Sequence, residues 1–422
     1  MKIKTQVKSY EEVMSLPRAK KRKPKRPNIL FRTLVRVLAI KDLIPAKFTF
    51  DKSDLSRAGK GPYLILMNHS CFLDLEIVSR IFYPMPYGIV TTSDGFVGKE
   101  WLMHNLGCIP TQKFVSDLSL IRSMDYMLNK KKTSVLMYPE ASYSFDGCAT
   151  PLPRKMGSFL KHLKVPVVHV HASGAFLRTP LYNELRNRKV KVSAVARTLL
   201  TAEEIAEKSV EELDKILDDA FTFDHFRWQK ENGIEIREDT RAQGLERVLY
   251  KCPHCLAEGT TKGVGDRLVC SACKKEYLLT ELGEMKALSG ETEISHIPDW
   301  YAWERESVRR ELIDGEYRLD TDVDIAVQVD NKAIYMIGSG HLLHNNDGFL
   351  LTGCDGKLRY EQKPCASYGL YSDYYWYQIA DMICVGGKDC LYYCFPKTEG
   401  VVAKTRLAAE ELFKLSMSKI RR

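Results

Sequence analysis

Nowhere do the 422 residues contain an uncharged apolar run of about 18, the length a membrane-spanning helix needs, so no transmembrane helix is expected. The start, Met1-Lys2-Ile3-Lys4, has no apolar core behind it, which argues against a signal peptide. A disulfide framework is also missing. Of 12 cysteines, four have metal-ligand spacing and most others sit singly among apolar residues, which points to a reducing, cytosolic compartment. Excess charge of one sign is scarce outside one place. Net charge is +9, but residues 1–26 alone hold ten Lys or Arg against two Glu, so the remainder is nearly neutral. The length leaves room for two or three domains.

What is present begins with that basic tail, densest over Arg18 to Arg26. Such a tail suits nucleic acid, lipid headgroups or plain solvent. The next stretch favours lipid. Asn28 to Ile44 carries Ile29, Leu30, Phe31, Leu34, Val35, Val37, Leu38, Ile40, Leu43 and Ile44 around Arg32, Arg36 and Lys41. It is too short and charged to span. It suits a helix lying in the interface of an anionic membrane, where each basic residue adds on the order of 1 kcal/mol. The bland alternative is a core-packing amphipathic helix behind a floppy tail. A cytoplasmic protein, peripheral on the inner face of the membrane, is the expectation, with nucleic acid an unlikely partner.

Residues 61–200 alternate strand-like runs (63–67, 87–91, 134–138, 166–171, 189–195) with helix-like ones (72–83, 98–105, 117–130, 154–163). Alternation of this kind predicts an α/β domain with a largely parallel sheet, its chemistry at strand C-termini. One such end reads Asn68-His69-Ser70-Cys71-Phe72-Leu73-Asp74. In a continuous helix His69 and Asp74 would point about 140° apart. They meet only if His69 sits on the turn before the helix. Asp74 then fixes the imidazole tautomer and leaves the other nitrogen as a general base. A simple helix cap is the alternative.

Three later stretches accompany this one: Gly107-Cys108-Ile109-Pro110-Thr111-Gln112-Lys113, Tyr138-Pro139-Glu140-Ala141-Ser142, and Val165-Pro166-Val167-Val168-His169-Val170. In order and spacing the set resembles the four blocks of the glycerolipid acyltransferase family, which includes 1-acyl-glycerol-3-phosphate acyltransferases. The resemblance covers roughly residues 28–225. It implies transfer of a fatty acyl group from acyl-CoA or acyl carrier protein to a hydroxyl of a lysophospholipid or glycerol-phosphate acceptor. His69 would be the base and Asp74 its partner, with Asn68, Gly107, Pro110, Lys113, Pro139, Glu140 and Ser142 in the substrate site. Two departures stand out. The second block ends in Lys113 where the family pattern has arginine. The third has Tyr143 where the pattern has the arginine assigned to the acceptor phosphate. Arg154 and Lys155 are candidates to restore that charge; otherwise the acceptor carries no free phosphate there. Cys71 as a nucleophile is a minor alternative.

Cys252-Pro253-His254-Cys255 and Cys270-Ser271-Ala272-Cys273 are two knuckles at zinc-ribbon separation. Four thiolates leave no open coordination position, so the zinc would be structural, and His254 a bystander. Beyond Ile297, a Trp300-Tyr301-Trp303 helix precedes six or seven short β-runs with Gly, Asn and Asp turns, then one closing helix. This pattern looks like a pleckstrin-homology-type barrel. The expected layout is a disordered tail (1–27), the acyltransferase domain with its interfacial helix (28–235), a zinc ribbon (245–285) and an antiparallel β domain (295–422). A non-catalytic lipid-binding regulator that keeps the acyltransferase fold is the competing whole-protein reading.

Overall fold

The computed structural model describes residues 2–19, 22–115, 117–388 and 390–420, with side chains to 418. The segment expected to be a disordered tail is ordered over much of its length; Lys20 and Lys21 lie outside the described residues. Strand β1 (Thr5–Val7) pairs in parallel with Ile334–Met336, and helix α1 (Tyr10–Met14) follows, opened by a capping box between Ser9 and Glu12. Val13 is fully buried. The physical reason is that the basic residues crowd after position 17, while the preceding stretch carries apolar groups. Those groups find an open sheet edge and a core.

Helices α2 (Ile29–Leu38) and α3 (Ile40–Leu43) precede the first domain. Its elements run β2 (Thr49–Asp51), β3 (Leu64–Met67), α4 (Leu73–Phe82), β4 (Tyr87–Thr92), α5 (Glu100–Asn105), β5 (Cys108–Thr111), α6 (Leu118–Asp125), β6 (Ser134–Met137), α7 (Met156–Leu163), β7 (Val167–Ser173), α8 (Ala175–Arg178) and β8 (Ser193–Leu200). The sheet order is β2-β8-β7-β3-β6-β4-β5. Every neighbouring pair is parallel except β7 and β8. Central β3 is wholly buried. Pleating sends Ile65 and Met67 toward Ile77 and Val78 of α4, and Leu64 and Leu66 toward Met124 and Leu160 on the other face. The second block, absent from the expected strands, contains edge strand β5. Pro110 is tolerated there because an edge position need not donate to a ladder.

Residues 202–219, which read as one polar helix, form two: α9 (Ala202–Glu207) and α10 (Val210–Ala220), the second started by a Ser209–Glu212 capping box. Helix α11 (His225–Glu231) follows. Behind β7 lies an aromatic cluster. His169 packs on Phe221 with ring centroids 4.9 Å apart, and His225 stacks on Phe176 at 5.5 Å. His169 and His225 are buried and His171 is half-buried; desolvation pushes their pKa values down to about 3, 3 and 4.

The small sheet contains β9 (Thr261–Val264), β10 (Arg267–Cys270), β11 (Glu276–Leu279) and β12 (Met285–Ala287), antiparallel throughout. Helix α12 (Ile297–Asp314) leads to β13 (Leu319–Gln328), β14 (Ile334–Asn345), β15 (Gly348–Gly353), β16 (Leu358–Gln362), β17 (Tyr371–Trp376), β18 (Ala380–Gly387) and β19 (Cys390–Pro396), closed by α13 (Val401–Ile420). These seven strands form an antiparallel sheet ordered β16-β15-β14-β13-β19-β18-β17. One core links all three units. Trp300 is fully buried, sets its ring edge-on to Tyr277 at 5.1 Å, and donates Nε1–H to the Lys251 carbonyl. Trp300 therefore packs between units and faces no membrane.

A depressed histidine pKa means the folded state excludes a proton that the unfolded chain accepts below about pH 6.5. Stability from such a group is complete above that pH and declines as pH falls toward 3. His225→Phe should remove its share. Between pH 7 and pH 5 the variant should lose about 2 kcal/mol less stability than the parent, read from denaturant midpoints at both pH values. Parallel losses in the two proteins would show that His225 protonates freely in the fold.

Candidate active site

His69 lies on the turn between β3 and α4, and Asp74 is the second residue of α4. The chain folds back over the first helical turn, and Nδ1 stands 3.0 Å from Asp74 Oδ2. The same oxygen accepts from the backbone amides of Ser70 at 2.7 Å and Cys71 at 3.1 Å. Asp74 is fully buried. An acceptor-only oxygen opposite Nδ1 makes that nitrogen the donor and leaves the Nε2 lone pair free. Burial pushes the His69 pKa down; Asp74 opposes this and Lys113 adds to it.

The third block holds the histidine's backbone. Glu140 Oε1 accepts the His69 amide at 3.1 Å, and Oε2 accepts the Thr150 amide at 2.9 Å. The Ser144 amide donates to the His69 carbonyl at 3.0 Å. Burial pushes the Glu140 pKa up to about 8 against these hydrogen bonds. Two tyrosines face the imidazole. Tyr138 stacks on it at 3.9 Å and Tyr143 tilts against it at 4.4 Å. Pro139 is buried beneath them.

The other expected site residues divide. Asn68 is fully buried and grips the Ala172 backbone, donating to its carbonyl and accepting from its amide, so it ties β3 to β7. Gly107 immediately precedes β5 and Pro110 lies on it, three strands from β3 in the sheet order. At about 4.8 Å per strand this is roughly 14 Å, which removes them from direct contact with the histidine. Gly107 has a positive φ of 78°, and a Cβ there would come 2.9 Å from Pro27 Cδ, so its glycine serves the passing N-terminal segment. Arg154 and Lys155 are exposed on the turn before α7, with the Arg154 guanidinium 5.1 Å over the Phe413 ring. Among the described residues neither side chain contacts His69. Ser142 is buried and accepts from Arg406 Nη2 at 3.1 Å.

Sequence reading missed the C-terminal contribution. Tyr374 packs on Phe145 at 4.7 Å, Lys113 stands 4.3 Å over Tyr371, and Arg406 stands 4.0 Å over Phe145. Nothing local flags residues some 230 or more positions away. Tyr138 and Tyr143, inside the third block itself, were the legible part. An open concavity of about 450 Å³ lies elsewhere, on the small sheet beside Lys262, Asp266, Arg267 and Glu276.

Cys252, Cys255, Cys270 and Cys273 converge, their sulfurs all within 4.8 Å of one another. Two pairs, Cys252–Cys273 and Cys255–Cys270, are 3.8 and 3.7 Å apart. Tetrahedral zinc with bonds of about 2.3 Å requires sulfur separations of about 3.8 Å, so the donor set fits the ion. The knuckles are built alike. Leu256 and Lys274 adopt left-handed backbone and donate to the carbonyls of Cys252 and Cys270. His254 is held by Glu293 at 2.9 Å, outside the sulfur cluster. Purified protein should carry about one zinc per chain by elemental analysis, and Cys270→Ser should lose it together with several degrees of Tm. A metal-free protein with an unchanged melting curve would show the cluster to be four plain thiols.

Comparison with known proteins supports one part of the chain. A family model described as Acyltransferase matches residues 45–173. Curated proteins include no match. A similar solved structure is the 1-acyl-sn-glycerophosphate (LPA) acyltransferase PlsC from Thermotoga maritima, at 14% identity and a TM-score of 0.36, covering 45% of this chain and 76% of that one. The turn that joins His69 to Asp74 and the loop that carries Glu140 both fall inside the matched residues, and residues 45–173 are an acyltransferase-family domain.

Proposed function

We propose that this protein transfers a fatty acyl group from a thioester donor to a hydroxyl of a lysophospholipid or glycerol-phosphate acceptor. The observation that carries this reading is the His69 ring, braced through Nδ1 by buried Asp74 with Nε2 left free. An alcohol attacks a thioester well only if a base removes its proton during attack. His69 Nε2 takes the acceptor hydroxyl proton as the oxygen bonds to the thioester carbonyl. Asp74 stabilises the imidazolium, as in the handing of protons within a serine-protease triad. Collapse of the tetrahedral intermediate breaks the carbon–sulfur bond, and His69 returns the proton to the departing thiolate of coenzyme A or acyl carrier protein. No acyl-enzyme forms. Burial pushes the Cys71 thiol far up, which argues against it as a nucleophile.

A second reading, a lipid-binding regulator without turnover, draws on the close cover of Tyr138 and Tyr143 over the ring. One assay separates the two. Labelled acyl thioester with a panel of lysolipids should give acylated product, and His69→Ala should cut turnover by roughly a thousandfold or more while the far-UV spectrum stays unchanged. For the parent, kcat/KM should rise with pH through a value below the ordinary histidine 6.5, because His69 acts as the neutral base and its pKa is lowered. Full turnover in His69→Ala would refute the mechanism.

Membrane docking is the other half of the proposal. Helix α2 buries none of its residues; Leu30, Val37 and Leu38 are 73%, 55% and 61% exposed, and Trp101 beside Phe31 is 69% exposed. Among the described residues no helix is long and apolar enough to cross a membrane. Arg32 and Arg36 turn to the carbonyls of Pro84 and Arg80, which ties the helix to the domain and leaves its apolar side outward. This suits an interfacial helix on an anionic bilayer at the inner face of the membrane. Seven antiparallel strands closed by α13 support a pleckstrin-homology-type reading of the C-terminal domain. Leu30→Asp with Val37→Asp should weaken sedimentation with anionic vesicles about tenfold or more. Undiminished sedimentation would move the docking surface elsewhere.

A further inference from the structure

Helix α13 returns to the acyltransferase domain through Arg406, 264 positions after Ser142. Arg406 is 3% exposed. Its Nη2 donates to Ser142 Oγ at 3.1 Å and its Nε to Glu410 Oε1 at 3.2 Å. Its Nη1 is buried without a hydrogen-bond partner. Buried donors are nearly always satisfied, and an unpaired guanidinium N–H is costly enough to need an explanation. Ser142 is chain neighbour to Tyr143, whose ring lies 4.4 Å from that of His69.

A second cation is joined to it through β17: Tyr371 lies under Lys113, and Tyr374 packs on Phe145, the ring under the Arg406 guanidinium. Lys113 sits 4.3 Å over the Tyr371 ring. Burial pushes its pKa down, Asp373 and Asp94 oppose this, and Arg406 pushes it down further. Lys113 also lowers His69. The nearby acids are already shared. Glu410 also takes Arg305 at 2.7 Å, and Asp373 is driven up to about 6 by burial. Two cations brought together through one strand, one of them a guanidinium that bonds the chain neighbour of Tyr143 and keeps a free N–H, are the donor set for a doubly charged oxyanion. The third block offers no cation of its own, since Tyr143 stands where the resemblance places arginine.

We propose that Arg406, with Lys113, forms the phosphate-reading side of the acceptor site, so that the closing helix of the C-terminal domain completes the acyltransferase domain. The group bound is a phosphate ester. That it belongs to the acceptor rests on the acyl-transfer reading; that phosphate binds here does not.

The test uses the full chain and thermal shift with three probes: inorganic phosphate, glycerol 3-phosphate and coenzyme A. The parent and His69→Ala should both be stabilised by inorganic phosphate and glycerol 3-phosphate. Arg406→Gln should weaken the apparent affinity for both by roughly ten- to hundredfold, and Arg406→Lys by less, because charge survives without the fork. Lys113→Met is the second variant and should show the same loss, should Arg406→Gln not fold. A response to coenzyme A alone that depends on Arg406 would keep the phosphate site and assign it to the donor. A parent that ignores all three probes, or an Arg406→Gln protein that responds as the parent does, overturns the proposal. Absence of acyl transfer by a parent that still binds glycerol 3-phosphate through Arg406 would remove the enzymatic reading and leave the binding site standing.

Discussion

A single buried carboxylate oxygen organises the acyltransferase domain. Asp74 Oδ2 receives the His69 ring N–H and the amides of Ser70 and Cys71, and no water reaches it. A buried carboxylate costs several kcal/mol unless it is hydrogen-bonded. Three charge-assisted bonds, each worth about 1.5–3 kcal/mol, offset that cost only while the turn keeps this shape. The requirement works in both directions. The turn satisfies the carboxylate, and the carboxylate fixes the turn, the ring tautomer and the direction of Nε2. Glu140 repeats the device one strand over, bonding the His69 amide and the Thr150 amide with its two oxygens.

Around that turn the C-terminal domain acts as part of the site. β17 brings Tyr371 and Tyr374 against Lys113 and Phe145, and α13 brings Arg406 to Ser142. The same helix holds the metal-type knuckle, since Lys404 pairs with Glu258 at 2.6 Å and with Glu311 of α12 at 2.7 Å. Through Lys404 and Arg406, one helix thus ties a residue close to the cysteine cluster and Ser142 of the third block.

How much of this was legible depends on whether the relevant partners were close in sequence. The alternation of apolar runs located β3, β4, β6 and β7 to within a residue or two, because buried parallel strands are short, apolar and bounded by turns. β5 went unread, since an edge strand of Cys-Ile-Pro-Thr has neither alternation nor length. The His69–Asp74 contact was readable because five residues and one helix start determine it. The contact of Arg154 with Phe413 was not legible, because block proximity in sequence is no guide to which way a turn projects. Here it projects toward solvent and Phe413. The ordered N-terminal strand was misjudged because composition averages over the tail, whereas strand addition needs only Thr5–Val7 and an open edge on β14.

By itself the sequence determined the elements whose chemistry is local: the His69–Asp74 contact, the two cysteine knuckles, and the apolar stripe of α2. Spacing decides these, because covalent connection limits where a side chain five or fewer residues away can go. Tertiary structure alone decided what surrounds them. Two tyrosines close over the imidazole, Gly107 faces Pro27, and a guanidinium arrives from 264 residues away. Such contacts join segments far apart in the chain, and which of them meet depends on the summed shape of the packed surfaces rather than on any one short stretch.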